Sequence, residues 1–304
     1  MTDFDRLFEE LRGIPGLTVL REEPLCDHGS FRVGGPAALA LFPQSEAVLA
    51  AAIEHLRQRE VPYAVIGRGS NLLFPDEGWQ GAVIFTGDMQ EVTFDGTAVT
   101  AASGASFTGL AAAAGRAGLT GLEFAYGIPG SIGGAVYMNA GAYGGEVVQV
   151  LRSSRYYDCE SGEVVTLPAE KHEFGHRYSF YTGKPNLVIL SATFALAEGN
   201  PDEIKAKMED LMSRRKEKQP LEYPSAGSTF KRPEGYFAGK LIEDAGLKGF
   251  SVGGAQVSEK HAGFVINRGG ATAADVKALI SEIQRRVFEN AGVHLEREVI
   301  YFGE

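Results

Sequence analysis

A serine stands just ahead of two cations in the segment 224–233, PSAGSTFKRP. Ser228 follows a glycine and precedes Lys231 and Arg232, and a proline closes each end of the segment. Proline fixes the backbone and glycine lets another group approach closely, so this sequence predicts a rigid, electropositive loop. A hydroxyl on such a loop could give a proton to an anionic substrate. A turn with a solvated lysine and arginine explains the segment equally well.

A short glycine segment, GRGSN at 67–71, follows a predicted strand. Successive backbone N–H groups in such a turn can form an anion-binding nest, to which Ser70 and Asn71 add side-chain donors. The third glycine of the GxGxxG fingerprint is missing and no helical pattern follows, which argues against a Rossmann dinucleotide loop. A simple turn between strands is the alternative.

A longer glycine-rich stretch, residues 121–146, is too apolar for an exposed loop and too rich in glycine for a helix. We interpret it as a chain that wraps a large flat cofactor, because glycines let backbone lie close against a ligand. Tight packing of backbone on backbone is the other interpretation. The chain has 39 glycines in all.

One arginine, Arg177, stands among aromatic residues in the segment 174–181, FGHRYSFY. A guanidinium in such a setting can pair bidentately with a carboxylate or a phosphate. An arginine stacked on a surface tyrosine would give the same pattern.

A carboxylate, Glu298, lies in the predicted final strand, 295–302. Strand alternation puts Glu296 and Glu298 on one face together with apolar side chains. A carboxylate beside apolar groups tends to have a raised pKa, which suits proton transfer. A solvated glutamate is the alternative.

Composition narrows the class of protein. The chain has 304 residues, 44% of them hydrophobic and 22% charged, as in a globular protein of two or three domains. The net charge of −10 argues against broad binding to nucleic acid or membrane surfaces, so an anionic ligand needs locally clustered cations. Cys26 and Cys159 form no CxxC pair, and neither a signal pattern nor a membrane-length apolar run is present. These features predict a cytoplasmic protein with free thiols.

Several predicted elements must position these groups. Ser45 caps a helix over 46–59, another helix covers 107–117, and helices start at Asn200 and Thr272. The change of pattern near residue 199 indicates a domain boundary. Zinc-protease, nucleophile-elbow and Walker A motifs are absent, and no metal site is predicted. The predicted strands are 63–66, 72–74, 82–85, 91–100, 147–151, 155–158, 163–167, 187–196 and 295–302.

Taken together, the motifs resemble those of one family, in the same order over residues 25–304. That family is the flavin-dependent UDP-N-acetylenolpyruvoylglucosamine reductases of bacterial peptidoglycan synthesis. The matching motifs are FRVGGPA at 31–37, GRGSN at 67–71, GIPGSIGG at 127–134, RYS at Arg177, GSTFK at Ser228 and a terminal EV at Glu298.

This resemblance implies an α+β fold. It implies a vanillyl-alcohol-oxidase-type (PCMH-type) FAD-binding domain of two α+β lobes, followed by a C-terminal α/β substrate-binding domain. The implied organisation is a helical lead-in over 1–28, an FAD domain over 29–198 with lobes at 29–86 and 87–198, and a substrate domain over 199–304.

The resemblance also implies an activity. NADPH would reduce a non-covalently bound FAD and leave, and UDP-N-acetylglucosamine enolpyruvate would enter the same cleft. Hydride would pass from flavin N5 to C3 of the enolpyruvyl group, and a proton to C2 would complete UDP-N-acetylmuramate. No separate dinucleotide domain is required, in agreement with the missing Rossmann fingerprint. Neither a nucleic acid nor a membrane is an implied partner.

The same resemblance assigns residue roles. Ser228 would protonate C2, while Arg177 would bind the substrate carboxylate and, with Glu298, polarise it toward an enolate. Residues matching the FAD-binding motifs are Arg32, Gly67, Gly69, Ser70, Asn71, Gly127, Ile128, Pro129, Gly130, Ser131, Gly133 and Gly134. Those that fall where family members contact the sugar nucleotide are Lys218, Lys231, Arg232, Lys248 and His261.

The chain departs from the longer branch of the family between Arg177 and Ser228. It resembles the shorter branch, which lacks a loop whose tyrosine covers the uridine diphosphate, so the sequence leaves open what covers the nucleotide here. His176 stands where an aromatic residue often precedes the arginine.

Two alternatives are set against this activity. One is a different flavin-dependent oxidoreductase on the same fold, such as an oxidase of alcohols or sugars. Such oxidases often tether flavin through histidine or cysteine, and neither cysteine here lies in a recognisable attachment motif. The other is a binding protein on a decayed reductase scaffold, against which the intact Arg177, Ser228 and Glu298 argue.

Overall fold

The computed structural model describes residues 3–304, so the first two residues of the predicted lead-in lie outside the described residues. Helices and strands alternate irregularly along the chain. The helices are α1 (Asp3–Arg12), α2 (Glu46–Gln58), α3 (Phe107–Arg116), α4 (Ile132–Tyr137), α5 (Pro201–Lys218), α6 (Ala238–Asp244) and α7 (Ala273–Ala291).

The strands are short, and most of them pair within small sheets. They are β1 (Leu17–Pro24), β2 (Pro36–Pro43), β3 (Tyr63–Ile66), β4 (Leu72–Leu73), β5 (Trp79–Phe85), β6 (Val92–Asp95), β7 (Ala98–Ala102), β8 (Leu119–Thr120), β9 (Gly141–Ala142), β10 (Gly145–Glu146), β11 (Leu151–Asp158), β12 (Glu163–Pro168), β13 (Leu187–Ala195), β14 (Ala197–Glu198), β15 (Ser251–Val252), β16 (Ala255–Val257), β17 (Val265–Asn267) and β18 (Ile300–Tyr301).

The chain divides into two compact units, each built from separate stretches of sequence. The first comprises the chain up to Glu22, Ala38–Arg68 and Gln80–Arg214. The second comprises Glu23–Ala37, Gly69–Trp79 and Arg215–Glu304. The domain boundaries inferred from the sequence stay predictions.

A four-stranded sheet in the order β1-β2-β5-β3 forms one part of the first unit. Its β3 and β5 run parallel, which requires a crossover connection. The predicted helix start at Ser45 is confirmed, since its side chain accepts the N–H of Val48 and α2 begins at the next residue. Apolar residues at helical spacing bury one face of α2 in the core that it shares with the sheet, among them Leu49 and Ile53.

A five-stranded antiparallel sheet in the order β12-β11-β13-β7-β6 forms the other part of this unit. The single strand predicted over 91–100 is wrong, because β6 and β7 form a hairpin there. Gly96 has a φ of +58°, the left-handed conformation that reverses the chain between them. Residues 147–150, predicted as strand, instead begin with a 3₁₀ turn, and β11 starts at Leu151.

The glycine-rich stretch 121–146 was expected to contain no helix, and this expectation is wrong. It contains α4, whose residues Ile132 and Val136 are buried in the same core as α3. The helix is only 6 residues long. Tertiary packing therefore stabilises it, since so short a helix has little stability alone.

The second unit is built around α7. Thr272 and Asp275 form the predicted capping box at its start, and the sheet β15-β16-β17 and α6 pack on its apolar face. The carboxylate of Asp76 also accepts the N–H groups of Ala273 at 2.6 Å and Ala274 at 3.0 Å. The first turn of α7 is thus capped by a residue from a distant part of the chain.

The predicted final strand 295–302 is mostly wrong. Only β18 is a strand, and it pairs in parallel with β4 of the same unit. Upstream of β18, Arg297 pairs with Phe230 through an isolated bridge. The two parts of the predicted strand therefore pair with different segments of the chain. No helix within residues 3–304 combines the length and apolar character needed to cross a membrane.

Candidate active site

Within the first unit, the structure brings together two glycine segments that lie far apart in sequence. A Cβ added at Gly67 would lie 1.9 Å from the Ser131 Oγ and 2.9 Å from its Cβ. The backbone at Gly67 therefore lies directly against the start of α4. Only glycine allows this approach.

The segment 127–134 forms the turn that leads into α4. Gly127 and Gly130 have φ values of +89° and +157°, which side-chain-bearing residues rarely adopt. Ser131 is the N-cap and accepts the N–H of Gly134 at 3.3 Å. Gly127 donates to Thr108 Oγ1 at 3.2 Å. Several of these amides are therefore already engaged within the protein, which the sequence interpretation did not foresee.

One polar side chain beside this turn, that of Ser103, has no hydrogen-bond partner in the part of the chain that the structure describes. Ser103 is buried, with 2% of its surface exposed, and within residues 3–304 its hydroxyl forms no hydrogen bond. A Cβ on Gly133 would lie 3.1 Å from the Cβ of Ser103. A buried hydroxyl without a partner is costly, so this position favours a bound polar group.

Arg177 lies in the first unit on a tight turn. Gly175 and Tyr178 exchange backbone hydrogen bonds of 3.1 and 3.3 Å. Arg177 itself has a φ of +54°, which is uncommon for a residue other than glycine and is typical of functional positions. Its Nη2 donates to the Gly141 carbonyl at 3.4 Å. The residue as a whole is half-buried.

Ser228 and Glu298 lie on neighbouring segments of the second unit. Glu298 donates its N–H to the carbonyl of Thr229 at 2.9 Å, and Thr229 directly follows Ser228. Gly227 has a φ of +75°, a conformation that favours glycine just before the serine. Ser228 is exposed and Glu298 is half-buried. The backbone therefore places Ser228 and Glu298 on adjacent segments.

Asn71, a predicted FAD-binding residue, forms a hydrogen bond with the backbone of Glu298. Its side-chain Nδ2 donates to the Glu298 carbonyl at 3.0 Å, and its own carbonyl accepts the N–H of Ile300 at 3.0 Å. Both bonds lie within the second unit. Across the described residues, the backbone N–H groups of Gly69 and Ser70, just ahead of it, make no hydrogen bond to a backbone carbonyl or a side chain. They are available to a ligand.

The predicted sugar-nucleotide cations differ in how they are held. Lys231 forms an ion pair with Glu296, and the Lys248 Nζ lies 2.9 Å from a Glu243 oxygen. Arg232 stacks on the ring of Phe237 at 4.0 Å. Lys218 is exposed at the end of α5.

His261 and Arg32 also lie in the second unit. The Gly263 N–H donates to His261 Nδ1 at 3.1 Å. Burial, with the nearby Lys248 charge, lowers the pKa of this histidine, so the ring is neutral near pH 7. Arg32 has a φ of +53°, and its carbonyl accepts from Asn267 Nδ2 at 3.4 Å.

Sequence reasoning missed the residues that support these loops, including Ser103, Thr108 and Thr229. The Thr229 Oγ1 accepts the N–H of Val265 at 2.9 Å, which fixes the residue after Ser228. Small hydroxyl residues carry no strong signal by themselves. The run of alanine, serine and glycine at 101–106, directly after a strand, was the available hint for Ser103.

Comparison with known proteins decides the family. A family model described as "UDP-N-acetylenolpyruvoylglucosamine reductase, C-terminal domain" matches residues 219–302, and an "FAD binding domain" model matches residues 37–168. The chain is 50% identical over 301 residues to a UDP-N-acetylenolpyruvoylglucosamine reductase of Clostridium perfringens, with 99% of this chain and 98% of the relative covered. The chain belongs to the UDP-N-acetylenolpyruvoylglucosamine reductase family.

Further members of this reductase family agree. The protein of that name from Caldanaerobacter subterraneus is 49% identical over 282 residues, with 93% of each chain covered. The crystal structure of the Thermus caldophilus reductase superposes with a TM-score of 0.78 at 36% identity, covering 94% of this chain and 98% of that one. The predicted family and its FAD-binding α+β fold are confirmed.

The residues present fit FAD. The buried Ser103 hydroxyl lies beside the turn at 127–134, and Gly67 leaves no side chain between the two glycine segments. Backbone N–H groups and hydroxyls are the donors that pyrophosphate oxygens and ring heteroatoms accept.

Proposed function

We propose that this chain catalyses the NADPH-dependent, FAD-mediated reduction of UDP-N-acetylglucosamine enolpyruvate to UDP-N-acetylmuramate. The observation that carries the proposal is the hydrogen bond between Thr229 and Glu298, which sets Ser228 and Glu298 on adjacent segments. Membership in the reductase family gives this pair its chemistry. NADPH and the UDP-sugar are the proposed partners.

FAD would be held by the residues of its two glycine segments together with Arg32. When bound and reduced by NADPH, it supplies a hydride to C3 of the enolpyruvyl group. The protein's task is to place the substrate, exclude water and deliver a proton. The remaining steps are therefore assigned to side chains of the chain itself.

Arg177 would hold the substrate carboxylate through its planar guanidinium, which matches a carboxylate bidentately. Negative charge builds on this carboxylate as hydride arrives at C3. Arg177 and Glu298 together would polarise the group toward an enolate. A preorganised donor of this kind typically contributes about 3–4 kcal/mol to transition-state stabilisation.

Ser228 would give the proton that C2 requires. A serine hydroxyl is a weak acid, so it needs neighbours that favour the alkoxide. Lys231 is the nearest cation in sequence, but its ion pair with Glu296 shares its charge. Backbone N–H groups and the positive ends of local dipoles would therefore have to help Lys231 to stabilise the alkoxide.

The test separates the two half-reactions by anaerobic stopped flow, following the visible flavin absorbance. NADPH is added first and the enolpyruvyl substrate second, and bleaching followed by recovery is expected. Bleaching without recovery would point to another acceptor, and failure to take up FAD would remove the glycine segments from the cofactor site.

The general-acid role of Ser228 has its own test. Ser228→Ala should leave bleaching by NADPH nearly unchanged and slow the recovery by about 10²–10⁴-fold, the usual contribution of a positioned acid. Ser281→Ala, an exposed serine on α7, is the matched control and should behave as the wild type. Equal slowing of both half-reactions would disprove the role of Ser228.

A further inference from the structure

Asn139 is a buried polar residue that the mechanism above does not use. Only 2% of its surface is exposed, and its φ is +42°. Asparagine tolerates this left-handed conformation better than most residues. Its side chain makes three hydrogen bonds to two other segments of the first unit, one to Gly175 and two to residues 146–148. Burying an amide is costly unless its donors and acceptor are satisfied, and here they are.

The first of these bonds reaches the turn that carries Arg177. Asn139 Nδ2 donates to the Gly175 carbonyl at 3.1 Å. The same carbonyl accepts the N–H of Tyr178 and so closes the turn. Asn139 therefore contacts the backbone group that holds Arg177 in its left-handed conformation.

The other two bonds fix the segment that contacts the guanidinium. Asn139 Nδ2 also donates to Glu146 Oε2 at 3.1 Å, and Oδ1 accepts the N–H of Val148 at 3.0 Å. Glu146 pairs with Gly141 in the β9–β10 hairpin, and the Gly141 carbonyl accepts from Arg177. One side chain thus holds both the backbone of Arg177 and the acceptor of its guanidinium.

A second bond joins the same two regions. Ser179 Oγ donates to the Tyr137 carbonyl at 2.7 Å, and Ser179 is itself buried. Tyr137 is the last residue of α4, whose first turn begins at Ser131. A helix of 6 residues therefore links the predicted FAD-binding turn to the Arg177 turn.

We propose that Asn139 is a positioning residue that sets the orientation of Arg177 toward the substrate carboxylate. This inference rests on the proposed function, because it gives Arg177 a carboxylate to bind. Asn139 touches neither substrate nor cofactor in this role. It acts through the Gly175 carbonyl and the β9–β10 hairpin.

The decisive variants remove the bonds without straining the backbone. Asn139→Gly keeps the left-handed φ without steric strain and deletes all three bonds. Asn139→Asp keeps the shape and the acceptor for Val148 but replaces the donor by a carboxylate facing Glu146. Asn186→Ala is the matched control, since Asn186 in the same unit also donates to a glutamate, Glu160, at 2.6 Å.

The first measurement needs no turnover. Hydrogen exchange of the full chain, read over the peptide 172–180, should show about tenfold less protection in Asn139→Gly and Asn139→Asp, the loss expected for one or two hydrogen bonds. Asn186→Ala should match the wild type. Unchanged protection of this peptide in both Asn139 variants would overturn the proposal whatever the activity.

The second measurement is a double-mutant cycle on recovery of the flavin colour by substrate. Asn139→Gly should slow recovery by about 100-fold, as a misplacement of about 1 Å can. The doubly substituted chain should be no slower than Arg177→Lys alone. Additive effects would show that Asn139 acts elsewhere and would overturn the proposal. A wild-type chain that bleaches but never recovers would instead refute the proposed function, and with it this role.

Discussion

Replacing Gly67 with alanine should separate the two glycine segments of the FAD site. Gly67 is outside the left-handed region, so alanine meets no backbone strain there. The new Cβ would instead overlap Ser131, at 1.9 Å from Oγ and 2.9 Å from Cβ. Contacts below 3.0 Å essentially never occur for a Cβ. One of the two segments must therefore move.

The size of the effect follows from what Ser131 does. Rotating its side chain away removes the N-cap of α4, which costs about 1 kcal/mol. The remaining overlap with Cβ forces a backbone shift, at about 1–3 kcal/mol for an overpacked site. For a unit of this size each kcal/mol lowers the melting temperature by about 2–4 °C, so a fall of about 5–15 °C is expected. FAD binding should weaken as well, because both segments change position.

The assay is thermal unfolding of the apo chain, with FAD affinity from the quenching of flavin fluorescence. Adding Ser131→Gly to Gly67→Ala removes both overlapping atoms, and glycine as N-cap costs only a few tenths of a kcal/mol. The double variant should therefore regain most of the lost stability. Gly87→Ala is the control, since nothing lies within 4 Å of a Cβ there. A Gly67→Ala chain that melts and binds FAD as the wild type would refute the reasoning, as would a double variant no more stable than the single one.

Three further predictions concern charged and titratable groups. Burial alone would raise the pKa of Glu123, but hydrogen bonds from Thr120 and Gly121 outweigh it and lower the pKa. The ionised carboxylate therefore stabilises the folded chain above the ordinary pKa of about 4.3, and this stabilisation is lost as the pH falls. Glu123→Gln should flatten that acid dependence in urea titrations. Because the pKa of His261 is lowered in the folded chain, the unfolded chain binds more protons below about pH 6.5. The free energy of unfolding should therefore decrease as the pH falls below that value, and His261→Gln should remove this pH dependence. Asp76→Asn leaves one oxygen for two N–H groups of α7 and should cost about 1 kcal/mol, seen as a lower melting temperature with α7 otherwise intact.

Helix starts were the features most readily predicted from the sequence. Ser45 and Thr272 accept hydrogen bonds from backbone N–H groups at the starts of their helices, as their motifs indicated. Caps depend on residues within one turn, so local sequence contains the necessary information. The hairpin at 92–102 shows the limit, because one turn residue, Gly96, divides an apparently continuous strand pattern.

The candidate site was predicted as a set of motifs but not as an arrangement. The sequence named Ser228 and Glu298, yet their proximity depends on the Thr229 carbonyl and on Asn71, which lies 227 positions from Glu298. It likewise named Gly67 and Ser131 without indicating that they touch. Such long-range contacts depend on how the whole unit packs, and no local pattern encodes them. The roles of these residues stay predictions.

The cap that Asp76 provides to α7 has a consequence for synthesis of the chain on the ribosome. Asp76 emerges 197 residues before Ala273, its first partner, a wait of about 10–40 s at about 5–20 residues per second. During that time β18 has not yet been synthesised, so β4 cannot pair with it. Leu73 and Phe74, which are buried in the folded protein, are then partly exposed to solvent. A chain released early would keep that apolar strand exposed permanently. The nascent segment around β4 is thus where a holding chaperone should bind, and where truncated products should begin to aggregate.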